Sequence, residues 1–193
     1  MTENKLRIVT ILGSLRKESY NKILLQSITD VADQRWELTS ADISNLPLFN
    51  QDLETESDPE AVATFKETLK QADGVLIVTP EYNSGIPGVL KNALDWGSRP
   101  AKSSVFTNTP VAIAGATPGG VGTALAQMQV RQTLTAMNAN VMSNPKVLVG
   151  GVQKKIDFDS QRIEDSRTMS RLEEFIDAFT SFVEMYQHSS KGR

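Results

Sequence analysis

Short apolar runs alternate with longer amphipathic stretches along the chain. Leu6 to Leu12 (LRIVTIL) is apolar, rich in β-branched residues and stopped by Gly13, which predicts a strand covered on both faces. The next segment, NKILLQSITDVADQ, carries Ile23, Leu24, Ile28 and Val31 at helical spacing, with Ser19 and Asn21 placed to cap it. Trp36 to Ile43 alternates well enough for a second, more exposed strand, and Leu46 to Asp52 reads as a loop. Ser57, Asp58 and Pro59 then give a cap and a first-turn proline for a helix through AVATFKETLKQA. Gly74 to Thr79 is the third strand, Pro87 opens a helix that stops at Gly97, and Val111 to Gly115 is the fourth strand. After the loop ATPGGVG come a helix over 123–138, a short strand made of Val141 with Lys146 to Val149, and a surface excursion, QKKIDFDSQRIED. A last helix from Arg167 to about Gln187 buries Leu172, Phe175, Ile176, Phe179 and Val183.

Buried strands alternating with amphipathic helices imply a parallel sheet wrapped on both faces by right-handed crossovers. Five strands fit the α/β, flavodoxin-like three-layer α-β-α sandwich with a five-stranded parallel sheet of order 2-1-3-4-5. Ligands of such sheets bind beyond the carboxyl ends of the strands, where strands one and three part, so the loops after strands one, three and four should hold the site. The 193 residues suffice for one sizeable core, and a single domain over 1–193 is expected.

Composition removes most protein-based chemistry. With no Cys and one His there is no thiol nucleophile, no disulfide framework, no iron–sulfur ligand set and no His-based triad or zinc set. The single His188 lies in the polar tail QHSSKGR and is read as a solvated surface residue. Twenty Lys and Arg are scattered among 23 acids, so no basic stripe marks a nucleic-acid partner. The polar start MTENK lacks the form of a signal peptide, and no apolar run approaches the roughly 20 residues of a membrane helix, so no membrane partner and a cytoplasmic chain are expected.

Three loops retain chemistry. GSLRKESYN, Gly13 to Asn21, runs straight into a helix N-terminus, where backbone N–H groups and the positive helix end favour a phosphate. Ser14, Ser19 and Asn21 add short polar donors and Arg16 a charged fork. Neither a G-x-G-x-x-G nor a Gly-Lys-Ser/Thr phosphate loop follows the first strand, so a monophosphate fits better than a dinucleotide or an NTP. Pro80-Glu81-Tyr82-Asn83-Ser84-Gly85 offers flat apolar surface on Pro80 and Tyr82 beside hydrogen-bonding groups, as a planar heteroaromatic ring requires. Ala116 to Gly122 is small and glycine-rich, which lets its backbone approach a ring edge. Each loop alone also reads as an ordinary turn. Together they describe an elongated ligand with a phosphate at one end and a planar ring at the other, the shape of flavin mononucleotide.

These segments, with TPEYNSGIPGVLKNALDW over Thr79 to Trp96 and ATPGG over Ala116 to Gly120, resemble the NAD(P)H-dependent FMN reductase family, which includes bacterial chromate, quinone and azo-dye reductases. The resemblance runs from about residue 5 to about residue 187. It implies that Ser14, Arg16, Ser19, Tyr20 and Asn21 bind the FMN phosphate. It also implies that Pro80, Glu81, Tyr82, Asn83 and Ser84 flank the isoalloxazine, and that Thr117, Pro118 and Gly119 contact its polar edge. NADPH or NADH would reduce the flavin and a small-molecule acceptor (a quinone, free flavin, azo compound or metal oxyanion) would take the electrons, in a homodimer or a pair of dimers. Leu125 and Met128 stand where chromate-reducing relatives carry Arg and Tyr, and Lys146 replaces an acid, departures that weaken the case for chromate as acceptor and for a tetramer of the relatives' kind. The alternative, a flavodoxin-type electron carrier without NAD(P)H turnover, would use a phosphate loop without Arg.

Overall fold

The computed structural model describes residues 5–32, 34–54 and 57–190, with side chains through residue 187. The side chain of His188 lies outside the described ones. Strands β1 (Leu6–Leu12), β2 (Trp36–Ser40), β3 (Gly74–Val78) and β4 (Pro110–Ala116) pair in parallel, and two short strands, β5 (Asn140–Val141) and β6 (Val147–Val149), share the fifth position beside β4. The order is β2-β1-β3-β4-β5, as the alternation of elements predicts. The fifth strand is interrupted: β5 pairs with Pro110 and Val111, β6 with Ala114 to Ala116, and the segment between them includes Pro145.

Alternation along the strands divides the core. Leu6, Ile8, Leu76, Val78, Ala112 and Ala114 face α1 (Tyr20–Ala32) and α5 (Ser166–Ser190), whose Leu24, Ile28, Phe175 and Phe179 fill that side. Val9, Ile11, Val75, Ile77, Val111 and Ile113 face α2 (Glu60–Lys70), α3 (Gly88–Gly97) and α4 (Ala124–Ala136), through Phe65, Leu69, Leu90, Leu94, Val130 and Leu134. Every residue of β3 and β4 is buried, which is what a continuous apolar run in a central parallel strand means.

Four local expectations are corrected. β2 stops at Ser40: Ala41 still donates to the Thr10 carbonyl, but the Asp42 side chain accepts from the Ser44 backbone and turns the chain away before Ile43. Pro59 is itself the N-cap of α2, its carbonyl accepting from Val62 and Ala63, while Asp58 pairs with the buried Lys66 at 2.8 Å instead of capping. The excursion after β6 is not loose surface chain. It contains an antiparallel pair, β7 (Ile156–Asp157) and β8 (Arg162–Ile163), whose Ile156 and Ile163 are buried in the core and whose Ile163 N–H donates to Ser27 Oγ on α1 at 3.2 Å. The last helix is longer than expected at both ends, opening at Ser166 with the Asp165 side chain accepting from Thr168 N–H at 2.9 Å. Hydrogen bonds from the Thr168 side chain and backbone hold the Asp165 carboxyl below the usual carboxylate range.

Candidate functional site

The carboxyl ends of β1, β3 and β4 open at one edge of the sheet, and the three loops predicted from sequence leave from there. Gly13 closes β1 by donating to the Val78 carbonyl at 2.8 Å, and a Cβ there would lie 2.9 Å from Thr79 Oγ1, so glycine lets β1 and β3 part at close range. The chain then turns into α1. Ser19 is the N-cap: its Oγ accepts from Asn21 N–H at 3.3 Å and its carbonyl from Lys22 and Ile23. Ser14 is buried and its Oγ accepts from Arg16 N–H at 3.4 Å, while the Arg16 side chain is exposed and meets no hydrogen-bond or ion-pair partner among the described residues. Within the same limits, the backbone N–H groups of Leu15, Lys17 and Glu18 meet no protein acceptor. The turn therefore presents the Arg16 cation and unspent donors at a helix N-terminus, a set that suits a dianion.

Asn21 does different work from the donor role inferred for it. Its Nδ2 donates to the Ala116 carbonyl at 2.9 Å, and its Oδ1 accepts from Ala116 N–H at 2.8 Å, with the residue almost fully buried. β3 pairs with β4 only as far as Val78 with Ala114, so Ala116 has run past its ladder partner on that side. The Asn21 amide takes the place of the missing strand and ties the first loop to the end of β4.

In the second loop, Tyr82 and Gly85 exchange backbone hydrogen bonds at 3.2 and 3.0 Å around Asn83 and Ser84, which both have positive φ, 50° and 60°. Two successive left-handed residues make a tight reversed turn, one that asparagine accepts readily. Pro80 is buried and Tyr82 exposed, giving the turn one fixed and one projecting apolar surface. The Glu81 carboxylate, which the sequence left open, reaches α4: its Oε2 accepts from the N–H groups of Leu125 and Ala126, both at 2.9 Å. α4 has no side-chain cap of its own at Thr123 and no acid in its first turn. Glu81 is its cap, supplied from another loop. Gln129, one turn further on, holds the same loop, its Oε1 accepting from Ile86 N–H at 3.2 Å and its Nε2 donating to the Ser84 carbonyl at 3.1 Å.

The third loop is buttressed by Val149 to Val152, a support that the sequence did not reveal. Thr117 N–H donates to the Val149 carbonyl, Val152 N–H to that of Thr117, and Gly151 N–H to that of Gly119. Gly150 packs against the Gly119 and Gly120 carbonyls so closely that a Cβ would collide with them. With the Thr117 N–H spent on Val149 and Pro118 having none, the donors this loop offers a ligand begin at Gly119, whose N–H makes only a long 3.4 Å contact with Thr117 Oγ1. A Cβ on Gly120 would meet nothing within 4 Å, so the backbone there stands open to approach.

These parts line one small cleft, of about 50 Å³ and open to solvent. The first loop gives it Ser14, Arg16, Ser19, Tyr20 and Asn21; the second gives Pro80, Glu81 and Tyr82; the third gives Thr117 and Pro118, with Ala116 in addition. Asn83, Ser84 and Gly119 do not line it: the first two form the exposed tip of the turn and Gly119 faces its Gly151 support. Among the described residues no group of His, Asp and Glu is arranged to hold a metal, and no helix is long and apolar enough to cross a membrane.

A family model described as NADPH-dependent FMN reductase matches residues 6–154, which take in all three loops and the Val149 to Val152 support of the third. The chain belongs to this family. Family membership makes it a flavodoxin-like FMN-dependent oxidoreductase that uses NAD(P)H. A quinone reductase of Pseudomonas putida is 39% identical over 178 residues, covering 92% of this chain and 95% of the relative. An NAD(P)H-dependent FMN reductase of Pseudomonas aeruginosa is 39% identical over 160 residues, with 83% and 86% covered. Among solved structures, the flavoenzyme NAD(P)H:(acceptor) oxidoreductase FerB from Paracoccus denitrificans superposes with a TM-score of 0.87 at 34% identity, covering 94% of this chain and 98% of that one.

Proposed function

We propose that the cleft is the FMN site of an NAD(P)H:quinone oxidoreductase, with the phosphate at Ser14 to Ser19 and the ring between Pro80 to Tyr82 and Thr117 to Gly120. The observation that carries the reading is the convergence of Arg16 and backbone donors without partners among the described residues, and of the Ser14 and Ser19 hydroxyls, on the apolar walls of Pro80 and Tyr82 in one cleft. That donor set fits a phosphomonoester and that wall fits a planar ring. Tyr20 lines the cleft beside the proposed phosphate end, whereas Asn21 serves by locking the phosphate loop to β4. When bound, FMN supplies the redox chemistry, accepting reducing equivalents from the nicotinamide and passing them to the acceptor. The chain's own part is to hold the phosphate, bed the ring and present backbone N–H groups to negative charge, which needs no cysteine and no histidine.

Quinones are the acceptor class favoured, from the named activities of the relatives and from the exposed apolar Tyr82 and Val121 on the loops around the cleft. The proposal includes a homodimer in which the exposed Leu125 and Met128 of α4 are covered, and a cytoplasmic location, consistent with a chain that has no cysteine to pair. Light scattering and cell fractionation check these two points.

The deciding experiment compares FMN with riboflavin. Arg16→Ala should weaken FMN binding by about 1.5–3 kcal/mol, the range for a hydrogen bond to a charged group, and leave riboflavin binding unchanged. Unchanged FMN affinity overturns the phosphate assignment. Steady-state oxidation of NAD(P)H with a benzoquinone should exceed one equivalent per flavin by orders of magnitude, and a single turnover would favour an electron carrier.

A further inference from the structure

The Glu81 carboxylate is bound to the wrong loop for a residue whose only duty is beside a ring. It leaves the turn after β3 and ends on the first helical turn after β4, at 2.9 Å from both Leu125 N and Ala126 N. It joins one proposed wall of the ring site to the helix that follows the other wall, Thr117 to Gly120. α4 offers no alternative, since Thr123 donates no side-chain cap; its hydroxyl is buried and accepts from Gln127 Nε2 at 3.0 Å. Gln129 makes a second tie from the same helix to Ser84 and Ile86, but on the outer side of the turn, away from the cleft.

We propose that Glu81 is a positioning residue, a strap across the cofactor cleft that fixes the separation of the two ring-flanking loops by capping α4. The inference rests on the FMN reading above. A carboxylate is suited to this work for two reasons: one oxygen takes two helix-end N–H donors at once, and its charge meets the positive end of the helix. If the strap is cut, the loops keep their own turns and supports, because Tyr82 and Gly85 still pair and Gly119 is still held by Gly151. What is lost is the tie on the cleft side, because Gln129 still holds the outer side of the turn to α4. The defect should therefore fall on the ring end of the ligand and spare the phosphate end.

The test uses the full-length chain stripped of flavin and titrated with FMN and with riboflavin, for wild type, Glu81→Ala, Glu81→Gln and Arg16→Ala. Glu81→Ala should weaken both ligands by the same factor, about tenfold, within the usual span of coupling between two parts of a site. Glu81→Gln keeps an oxygen acceptor without the charge and should recover part of the loss; it also serves if the alanine variant does not fold. Arg16→Ala should weaken FMN alone. Amide exchange at Leu125 and Ala126 should quicken in Glu81→Ala before any ligand is added. Equal affinity of Glu81→Ala and wild type for both ligands, or a loss confined to FMN, overturns the strap. Failure of wild type to bind FMN overturns the site reading instead, so the two failures are distinguishable.

Discussion

Replacing Asn21 by alanine separates a structural tie from a phosphate ligand. The Asn21 amide makes two buried hydrogen bonds, at 2.8 and 2.9 Å, to the N–H and C=O of Ala116, at a point where β3 no longer runs alongside β4. Alanine removes both partners and leaves two backbone groups unpaired. A buried group left without a partner costs about 1–3 kcal/mol, so two cost about 2–6 kcal/mol. Ala116 lines the open cleft, where water can replace part of the loss, which puts the expected value near 2–3 kcal/mol. For a chain of this length that is a fall in Tm of roughly 4–12 °C. The measurement is urea or thermal unfolding of the flavin-free protein, followed by FMN titration at a temperature where the variant is fully folded. A loss of stability below about 0.5 kcal/mol, the size of an ordinary surface substitution, would refute the tie. So would unchanged stability accompanied by a loss of FMN affinity as large as that of Arg16→Ala, which would return Asn21 to the phosphate.

Two further predictions follow from the same structure. Gly115→Ala should destabilise the fold by about 1–3 kcal/mol or more, because a Cβ there would strike both Thr123 Oγ1 and the backbone carbonyl of Thr79, which cannot rotate away; unfolding midpoints in urea check it, and wild-type stability would show that β3 and α4 yield there. Asp73 is partly buried, which alone would raise its pKa, but hydrogen bonds from the Arg7 side chain at 2.8 Å and from the Arg7 backbone, with the Arg7 charge, bring it below the usual carboxylate value. A carboxyl that holds its proton less tightly when folded adds stability above its unfolded pKa of about 3.9 and loses it as the pH falls through the folded value. Asp73→Asn should therefore cost about 1–2 kcal/mol at pH 7 and progressively less below pH about 4; a cost that does not change with pH refutes the linkage.

The parts legible in the sequence were those governed by local rules. The continuous apolar runs GVLIV and VAIAG, the stop at Gly13 and the Ser19 cap marked the strands and the mouth of the site, because each depends on neighbours within a few residues, and the alternation of strands with helices gave their order. The loops were legible as a set, since all three leave the same sheet edge once the order is fixed. What escaped was long-range. Nothing near Glu81 in sequence says that its carboxylate ends 44 residues away at Leu125, and nothing near Asn21 says that its amide ends 95 residues away at Ala116. One signal was present and unread: α4 opens without an acid or a working cap, which in a buried helix start demands a partner from elsewhere. The hairpin over 156–163 was hidden by its polar composition, in which only Ile156 and Ile163 are apolar and buried.

The polar residues around the cleft thus fall into two populations with different consequences. Arg16, the Ser14 and Ser19 hydroxyls and the backbone from Gly119 onward have capacity left for a ligand; Asn21, Glu81 and Gln129 have theirs committed to protein. The committed group joins the first loop to the third, and the second loop to the helix that follows the third, so each loop is held by a neighbour rather than by its own length. That arrangement explains how a cleft built from turns can be rigid enough to bed a ring: the turns are short, and the side chains crossing between them replace the ladder that ends at Val78 and Ala114. It also ranks the substitutions. Changes in the first group should alter affinity at constant stability, and changes in the second should alter stability and the geometry of binding together. The rule fails if Asn21 or Glu81 variants match Arg16→Ala in losing only the phosphate contribution.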